Sequence, residues 1–297
     1  MDWDDLKIAH AVARHGSLSA AARALGSTQP TVSRRLNALE RRLGVKLFER
    51  EAGGLTPGSL LTTLLEPLDE MDELAGAVER RIAARDTGLK GTITLTSLAW
   101  FGDDVLAPLL ARFCIRHPDV IIDLINDPRR FNLSRREADV AVRVGNFDQG
   151  DLVERKVADV SYGLYASETY VGRHGQPDFA RKGADQHVVS LNPSPIKVVP
   201  IEWLKAMLPR AAIVLRTNGV QSHVAALEAG EAMAALPRVI GDRRPGLVRF
   251  ATPIPEPSQP VKIGVHADLR DTPRIRSVID FLVQELKLMA PELNPAP

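Results

Sequence analysis

Over residues 1–89 the apolar positions recur with a helical period. Leu6, Ala9, Val12 and Ala13 share one face, and the run ends at "RHGS", where Gly16 suits the left-handed conformation that closes a helix. Ser19 is placed to cap a second short helix, "AAARAL", which Gly26 stops. Ser27 or Thr28 caps a third, with Pro30 in its first turn, where a missing N–H costs little. In that third helix Val32, Leu36, Leu39 and Leu43 fall at i, i+4, i+7 and i+11, a single buried stripe. "VKLFEREAGGLTPG" then reads as strand, Gly53-Gly54 turn and returning strand, with Val45 and Leu47 in the first strand. Three helices and a small β wing result.

From Pro57 to about Arg85 the steps between Leu61, Leu64, Leu68, Met71, Ala75, Val78 and Ile82 alternate between three and four. Such a heptad seam predicts pairing with another helix, so these seven residues are the dimerisation candidates. Pro67 lies inside the run and predicts a kink costing about 3 kcal/mol. The competing reading is a long helix packed on its own domain.

After "DTGLKG" the period changes. "TITLTS" (92–97), "VIIDLIN" (120–126) and "DVAVRVG" (139–145) have strand character. An amphipathic helix from about Asp103 to His117 and a short helix around "NLSRREA" alternate with them, which predicts a parallel α/β sheet. "VSYGLYAS" (160–167) begins a second set, continued by "HVVSL", "AAIVLRTN", a helix from Val220 to Ala229, "AMAALP" and "VKIGVHA". "PRIRSVIDFLVQELKLM" closes the chain as an amphipathic helix. The expected organisation is a domain over 1–58, a linker helix over 59–89, and an α/β domain of two Rossmann-like halves over 90–297, with crossovers near 160 and 266.

Composition changes this picture only locally. Hydrophobic content of 44%, charged content of 25% and a formal net charge of +1 are ordinary for a globular protein. Between Arg23 and Arg50, however, seven cations (Arg23, Arg34, Arg35, Arg41, Arg42, Lys46, Arg50) face two carboxylates, Glu40 and Glu49. The N-terminus carries acids where an export signal needs cations, and no apolar run approaches a membrane span, so a cytoplasmic location without membrane partners is expected. The single cysteine, Cys114, rules out an intramolecular disulfide. His10, His15, His117, His174, His187, His223 and His266 show no metal-ligand spacing, and GxSxG, P-loop and GxGxxG motifs are absent. Neither enzyme chemistry nor a cofactor or metal is expected.

Helix, tight turn and second helix, with Ala20, Ala21 and Ala22 allowing close approach, is the layout of a helix-turn-helix. Opposite the apolar stripe the third helix presents Gln29, Thr31, Ser33, Arg34 and Asn37, side chains able to meet base edges. Ser17, Arg41, Lys46 and Arg50 are better placed to hold phosphates. Pro30 and Ser19 complete the candidate DNA set. On spacing alone, a helical hairpin with a solvated basic face remains open.

"GSLSAAARALGSTQPTVSRRLNALERRLGVKLFER" resembles the winged helix-turn-helix of LysR-type transcriptional regulators, and Gln29, Pro30, Thr31, Ser33 and Arg34 fall on that family's recognition-helix positions. The resemblance extends through "FGDDVLAPLLARFCIRHPDVIIDL", "NLSRREADVAVRVG" and "VHADLRDTPRIRSVIDFL". It implies a dimerising linker helix, a C-terminal domain like periplasmic binding proteins, assembly as a dimer and tetramer on promoter DNA, and a small-molecule effector between the α/β halves. RNA polymerase is a further candidate partner. By the same match Ser97, Leu98 and Trp100, Arg143 and Gly145, and Thr217 and Asn218 lie on loops that line the cleft. Helix N-termini there favour an anion, most simply a carboxylate. The wing sequence "EAGG" is shorter than usual for the family and lacks its basic residues, which predicts weaker wing contact with DNA. The rival readings are a solute-binding module, a DNA-binding regulator without an effector, and an enzyme.

Overall fold

A computed structural model describes residues 2–51, 54–84, 89–126, 138–147, 152–193 and 198–296, and the chain divides into two compact units, Met1–Ile82 and Ala83–Pro297. In the first unit α1 (Trp3–His15), α2 (Leu18–Ala24) and α3 (Gln29–Leu43) precede the antiparallel pair β1 (Phe48–Glu51) and β2 (Gly54–Pro57), then α4 (Ser59–Ala84). Gly16 and Gly44 sit at φ of 69° and 70° and close α1 and α3, positions that a side chain would strain.

Three local expectations are corrected. Ser17, not Ser19, caps α2, its Oγ accepting from the Ala20 N–H at 3.2 Å; Ser19 lies inside the helix. Thr28 holds the cap position of α3, but its hydroxyl pairs with that of Thr31 at 2.9 Å instead of with the backbone. Val45 and Leu47 precede the first wing strand, which starts at Phe48, because Leu47 is drawn inward to the core of this unit. Residues 52 and 53 of the wing turn lie outside the described residues.

The heptad seam of α4 divides. Leu61 and Leu68 are buried in the core formed by α1, α2 and α3, with Leu64 packed against it, so the first half of α4 belongs to its own domain. His10 Nε2 stands 2.6 Å from Asp69 Oδ1 and ties α1 to α4 at the end of that buried stretch. Beyond it Met71, Leu74 and Val78 are exposed, the last two by 68% and 58%. Pro67 lies within the continuous helix, on an exposed position. The Ile82 side chain lies outside those described.

In the second unit β3 (Gly91–Ser97) runs parallel to β4 (Val120–Asn126) and to β5 (Val140–Val144). Between β3 and β4 the chain forms α5 (Ala99–Phe101), a π turn (Gly102–Leu106) and α6 (Ala107–Arg116), so this helical stretch begins four residues earlier than its amphipathic period predicts. The segment "NLSRREA" falls outside the described residues. The sheet is mixed where sequence alternation predicts a parallel one. β6 (Leu152–Ser167) pairs antiparallel with β11 (Ser258–His266), which pairs antiparallel with β5. β6 starts eight residues before "VSYGLYAS" because its charged first half, Glu154–Lys156, is an exposed strand with no apolar alternation.

From Tyr162 onward β6 pairs instead with β9 (Ala234–Pro237) and β10 (Leu247–Phe250) and enters the second half. That half also holds α7 (Glu168–His174), β7 (His187–Ser190), α8 (Val199–Met207), β8 (Ala212–Arg216), α9 (Val220–Glu228) and α10 (Arg238–Gly241). β7 and β8 are parallel, and Val188 bridges Met233 beside β9. The crossing near 160 is thus the interior of β6. The return lies over 251–257, ahead of β11 and not at 266, since β11 is paired with the first half along its whole length. α11 (Pro273–Leu288) and α12 (Ala290–Leu293) close the unit. A single apolar cluster runs through both halves, from Ile93 and Phe101 to Val224 and Leu236.

Candidate nucleic-acid interface and ligand cleft

α3 has two opposed faces. Val32, Leu36 and Leu39 are buried, with Leu43 packed against the same core. Pro30, Arg34, Asn37 and Arg41 repeat the same spacing two residues out of phase, which places them on the far side, and all four are exposed. Gln29 is exposed in the first turn, while Thr31 and Ser33 are half-buried on the flanks. Ser17 and Ser19 are exposed at the start of α2, and the Ser17 oxygen is engaged as a cap. The Arg50 side chain lies outside those described.

The cations of this region do two different jobs. Arg35 and Arg42 converge on Asp5 of α1: Arg35 donates through Nε at 3.2 Å and Nη2 at 2.9 Å, and Arg42 through Nη2 at 2.9 Å. The Arg35 hydrogen bond, helped by Arg42, holds the Asp5 carboxyl below its ordinary range against some desolvation. Lys46 Nζ stands 2.6 Å from Glu40 Oε2, yet remains largely exposed. Glu40 is only 6% exposed, and its Oε1 accepts from the Leu47 N–H at 2.9 Å and, more weakly, from the Phe48 N–H at 3.4 Å. Desolvation alone would raise the Glu40 carboxyl, but Lys46 and the two backbone donors outweigh it and leave it lowered. Glu40 therefore splices the end of α3 to the start of the wing. Its place among basic residues gives no sequence signal of this role.

In the second unit the expected cleft residues sit at strand ends, where open α/β sheets place ligands. Ser97 ends β3 and is fully buried, with no hydrogen-bond partner for its Oγ. Leu98 is the cap residue of α5 and packs, half-buried, against the main core. Trp100 is buried within that core, edge-on to Phe101 at 5.3 Å, so its ring serves packing. Arg143, near the end of the adjacent β5, donates to Val142 O at 3.2 Å and Thr96 Oγ1 at 3.4 Å, which turns it toward its own sheet. Gly145 follows at φ 114°, a conformation that favours glycine.

On the other half the Thr217 N–H donates to Ser190 O at 3.1 Å, joining the ends of β7 and β8, and Thr217 Oγ1 accepts from the Gly219 N–H at 3.4 Å. Asn218 is exposed. α9 begins immediately after, and Gln221 in its first turn donates to Asp104 Oδ2 of the opposite half at 2.7 Å. This bond ties the π turn after α5 to the first turn of α9, linking the two halves. His223, in the same turn as Gln221, is 2% exposed, and neither ring nitrogen makes a hydrogen bond of ordinary geometry. Burial pushes the imidazole below its usual range, partly offset by the neighbouring backbone of Thr217 and Ser190, so the ring is neutral at pH 7. The sequence spacing of the seven histidines does not single this one out.

A winged helix-turn-helix followed by a two-lobed α/β unit defines a DNA-binding regulator with a ligand domain. Residues 3–59 match the bacterial regulatory helix-turn-helix proteins of the lysR family, and residues 86–287 match the LysR substrate binding domain. The chain is 27% identical, over 95% of both lengths, to the Mau operon transcriptional activator of Paracoccus denitrificans. Full-length AphB of Vibrio cholerae shares its fold at a TM-score of 0.65 and 21% identity, over 96% of this chain and 99% of that one. CbnR complexed with its target DNA does so at 0.59 and 18%, over 96% and 100%. The chain belongs to the LysR-type family of transcriptional regulators, which are DNA-binding proteins with an effector-binding domain and not enzymes. Among the described residues no helix is long and apolar enough to cross a membrane, and no cluster of His, Cys, Asp or Glu is arranged to hold a metal.

Proposed function

We propose that this regulator binds promoter DNA in the cytoplasm as a dimer or tetramer and answers to a small anionic effector held between the two α/β halves. The observation that carries the DNA reading is the two-faced α3, whose exposed row of Pro30, Arg34, Asn37 and Arg41 lies opposite its buried stripe. Arg34 and Asn37, with Gln29, Thr31 and Ser33 at the flanks, read base edges. Arg41, Lys46, Arg50, Ser17 and Ser19 hold phosphates. In a dimer the two α3 helices enter successive major grooves, with half-sites about 34 Å apart or a multiple of it.

Two features support self-association. The second half of α4 carries the rest of the heptad seam, with Met71 and Val78 exposed and Ala75 half-buried, together with the exposed Leu74. The second unit exposes Ile115 and Ile121 on α6 and β4, and Ile213, Val214 and Leu215 on β8, apolar surface that a second copy would cover. The effector reading rests on Ser97, Leu98, Thr217 and Asn218 at facing strand ends, with Arg143 and Gly145 at the end of β5. Effector binding changes closure of the halves and, through it, the spacing of DNA-bound dimers, a coupling of about 1–3 kcal/mol.

The test is selection of genomic fragments by the purified protein at two salt concentrations, followed by sequencing. A recurrent near-palindrome beside one operon is expected. Enrichment of bulk DNA alone, with and without extract of small metabolites, would overturn the base-reading assignment.

A further inference from the structure

We propose that residues 290–296 form a releasable strap between the two α/β halves, anchored by Arg238, and that this strap limits how far the halves bend.

The chain passes between the halves twice, through the interior of β6 and through 251–257. The two passages lie side by side, since the Tyr162 N–H donates to Pro257 O at 3.0 Å. Just before its passage β6 carries an irregularity: Ala158 opposes Val261, but Lys156 opposes Lys262, so Val157 is left over. Such a bulge bends a strand and raises its twist. Two adjacent passages beside a bulge leave bending of one half against the other weakly opposed, the situation of a hinge.

A third connection opposes that bending. α11 belongs to the first half: Phe281 packs on Phe113 of α6 with ring centroids 5.2 Å apart, and Glu285 meets Arg112 Nη2 at 2.7 Å. The chain that follows is held by the second half. Arg238 of α10, only 6% exposed, donates through Nη1 to Pro295 O at 3.0 Å and to Ala296 O at 3.1 Å. Glu292 of α12 pairs with Arg243, just beyond α10, and Leu293 is fully buried in the main core. From α11 to residue 296 the chain therefore runs from one half to the other, with its far end fastened by non-covalent contacts. Of the three connections it is the one that releases without breaking the chain.

Arg238 grips the passages as well. Its Nε donates to Asp242 Oδ2 at 3.2 Å, while Asp242 Oδ1 accepts from the Tyr165 hydroxyl of β6 at 2.5 Å. Its Nη1 lies 3.6 Å from Glu256 Oε2 in the return passage, an oxygen that Arg249 Nη1 also reaches at 3.2 Å. One guanidinium thus gathers the strap, β6 and the return. Between α12 and the bulged stretch of β6 lies a groove of about 550 Å³, lined among others by Lys156, Asp159, Pro291 and Asn294, which leaves room for relative movement. Loosening the strap widens the range of openings between the halves without altering any residue of the cleft.

The test is pulsed electron resonance on the full-length protein, with spin labels on Arg116→Cys in α6 and Ala225→Cys in α9, both exposed positions, in a Cys114→Ser background. Labelled chains are diluted with unlabelled ones so that the distance within one chain is read. Arg238→Lys keeps the charge facing Asp242 and Glu256 but loses the planar fork. Leu293→Ala loosens the strap and leaves Arg238 intact, should the first variant fold poorly. Both are expected to broaden the distance distribution, while hydrogen exchange in β3 and β7 stays within about twofold of the native chain. An unchanged distribution in both variants overturns the proposal. So does broadening accompanied by faster exchange throughout both halves, which would make the segment a general stabiliser. No effector is present in the measurement, so its failure leaves the effector reading standing.

Discussion

Replacing Glu40 with alanine tests how the recognition helix is joined to the wing. Glu40 Oε1 accepts from Leu47 N–H at 2.9 Å and Phe48 N–H at 3.4 Å, and Oε2 meets Lys46 Nζ at 2.6 Å. Loss of an acceptor costs about 1–3 kcal/mol for each buried donor left orphaned. One bond here is of full strength and one is long, so the expected cost of Glu40→Ala is about 2–4 kcal/mol. Glu40→Gln keeps an acceptor oxygen for the backbone and loses only the charge, so about 1 kcal/mol is expected. Lys46→Ala removes a partner that is 75% exposed and is expected to cost under about 1 kcal/mol.

Hydrogen exchange with mass spectrometry, read on peptides within residues 29–58, isolates this unit from the other. Since about 1.4 kcal/mol is a factor of ten, Glu40→Ala should lower protection there by about 30- to 700-fold, and Glu40→Gln by about fivefold. Peptides of the α/β unit should be unchanged. Glu40→Ala within twofold of the native chain, or Lys46→Ala as costly as Glu40→Ala, would refute the splice and make the pair a surface ornament.

The same unit should be acid-sensitive. Asp5 and Glu40 both have lowered carboxyls, so their stabilisation is complete above the ordinary carboxylate range near pH 4 and is lost as pH falls through the lower folded values. Unfolding followed between pH 6 and 3 that shows constant or rising stability of residues 1–82 would count against this. Arg34→Ala should cost about 1–3 kcal/mol on the cognate site and less on random DNA, while Lys46→Ala should weaken both alike and lower the salt slope by about one; gel shifts at several salt concentrations separate the two, and equal losses for Arg34→Ala would refute base reading. Val78→Asp on the exposed half of α4 should raise the dimer dissociation constant at least about tenfold in sedimentation velocity, since it puts a charge into an apolar seam, whereas an unchanged dimer would place the interface elsewhere.

What could be read from the chain depended on how local the signal was. The helices of the first unit follow from period and punctuation: Gly16 and Gly44 stop α1 and α3 where left-handed residues are needed. The exposed face of α3 was equally visible, because burial of Val32, Leu36 and Leu39 fixes what must face away. The antiparallel half of the sheet was not. After the half-buried Leu152, β6 runs through four exposed residues that carry no alternation, and its pairing with β11 joins positions about a hundred residues apart. Long-range pairing leaves no periodic trace in either strand. Capping was legible only to within two residues, since Ser17 and Ser19 offer the same hydroxyl and only the backbone entry angle chooses between them.

The cleft shows the same limit more sharply. Strand ends at Ser97 and Thr217 could be located, but the chemistry presented there depends on which polar atoms burial leaves without partners. Arg143, the obvious cation, is drawn to its own strand, whereas His223, one of seven similar histidines, is buried beside the backbone of Thr217 and Ser190.

The seam of α4 is one sequence pattern serving two partners. Leu61, Leu64 and Leu68 go to the core of the N-terminal unit, and the same period then carries Met71, Ala75 and Val78 along the helix beyond it. A heptad repeat states that one face is apolar; it does not state what covers each turn. The changeover falls where His10 and Asp69 meet at 2.6 Å. The first half of α4 therefore moves with α1 and α3 as one body. Any pairing through the second half then sets the direction in which each recognition helix is presented, without a flexible joint between them.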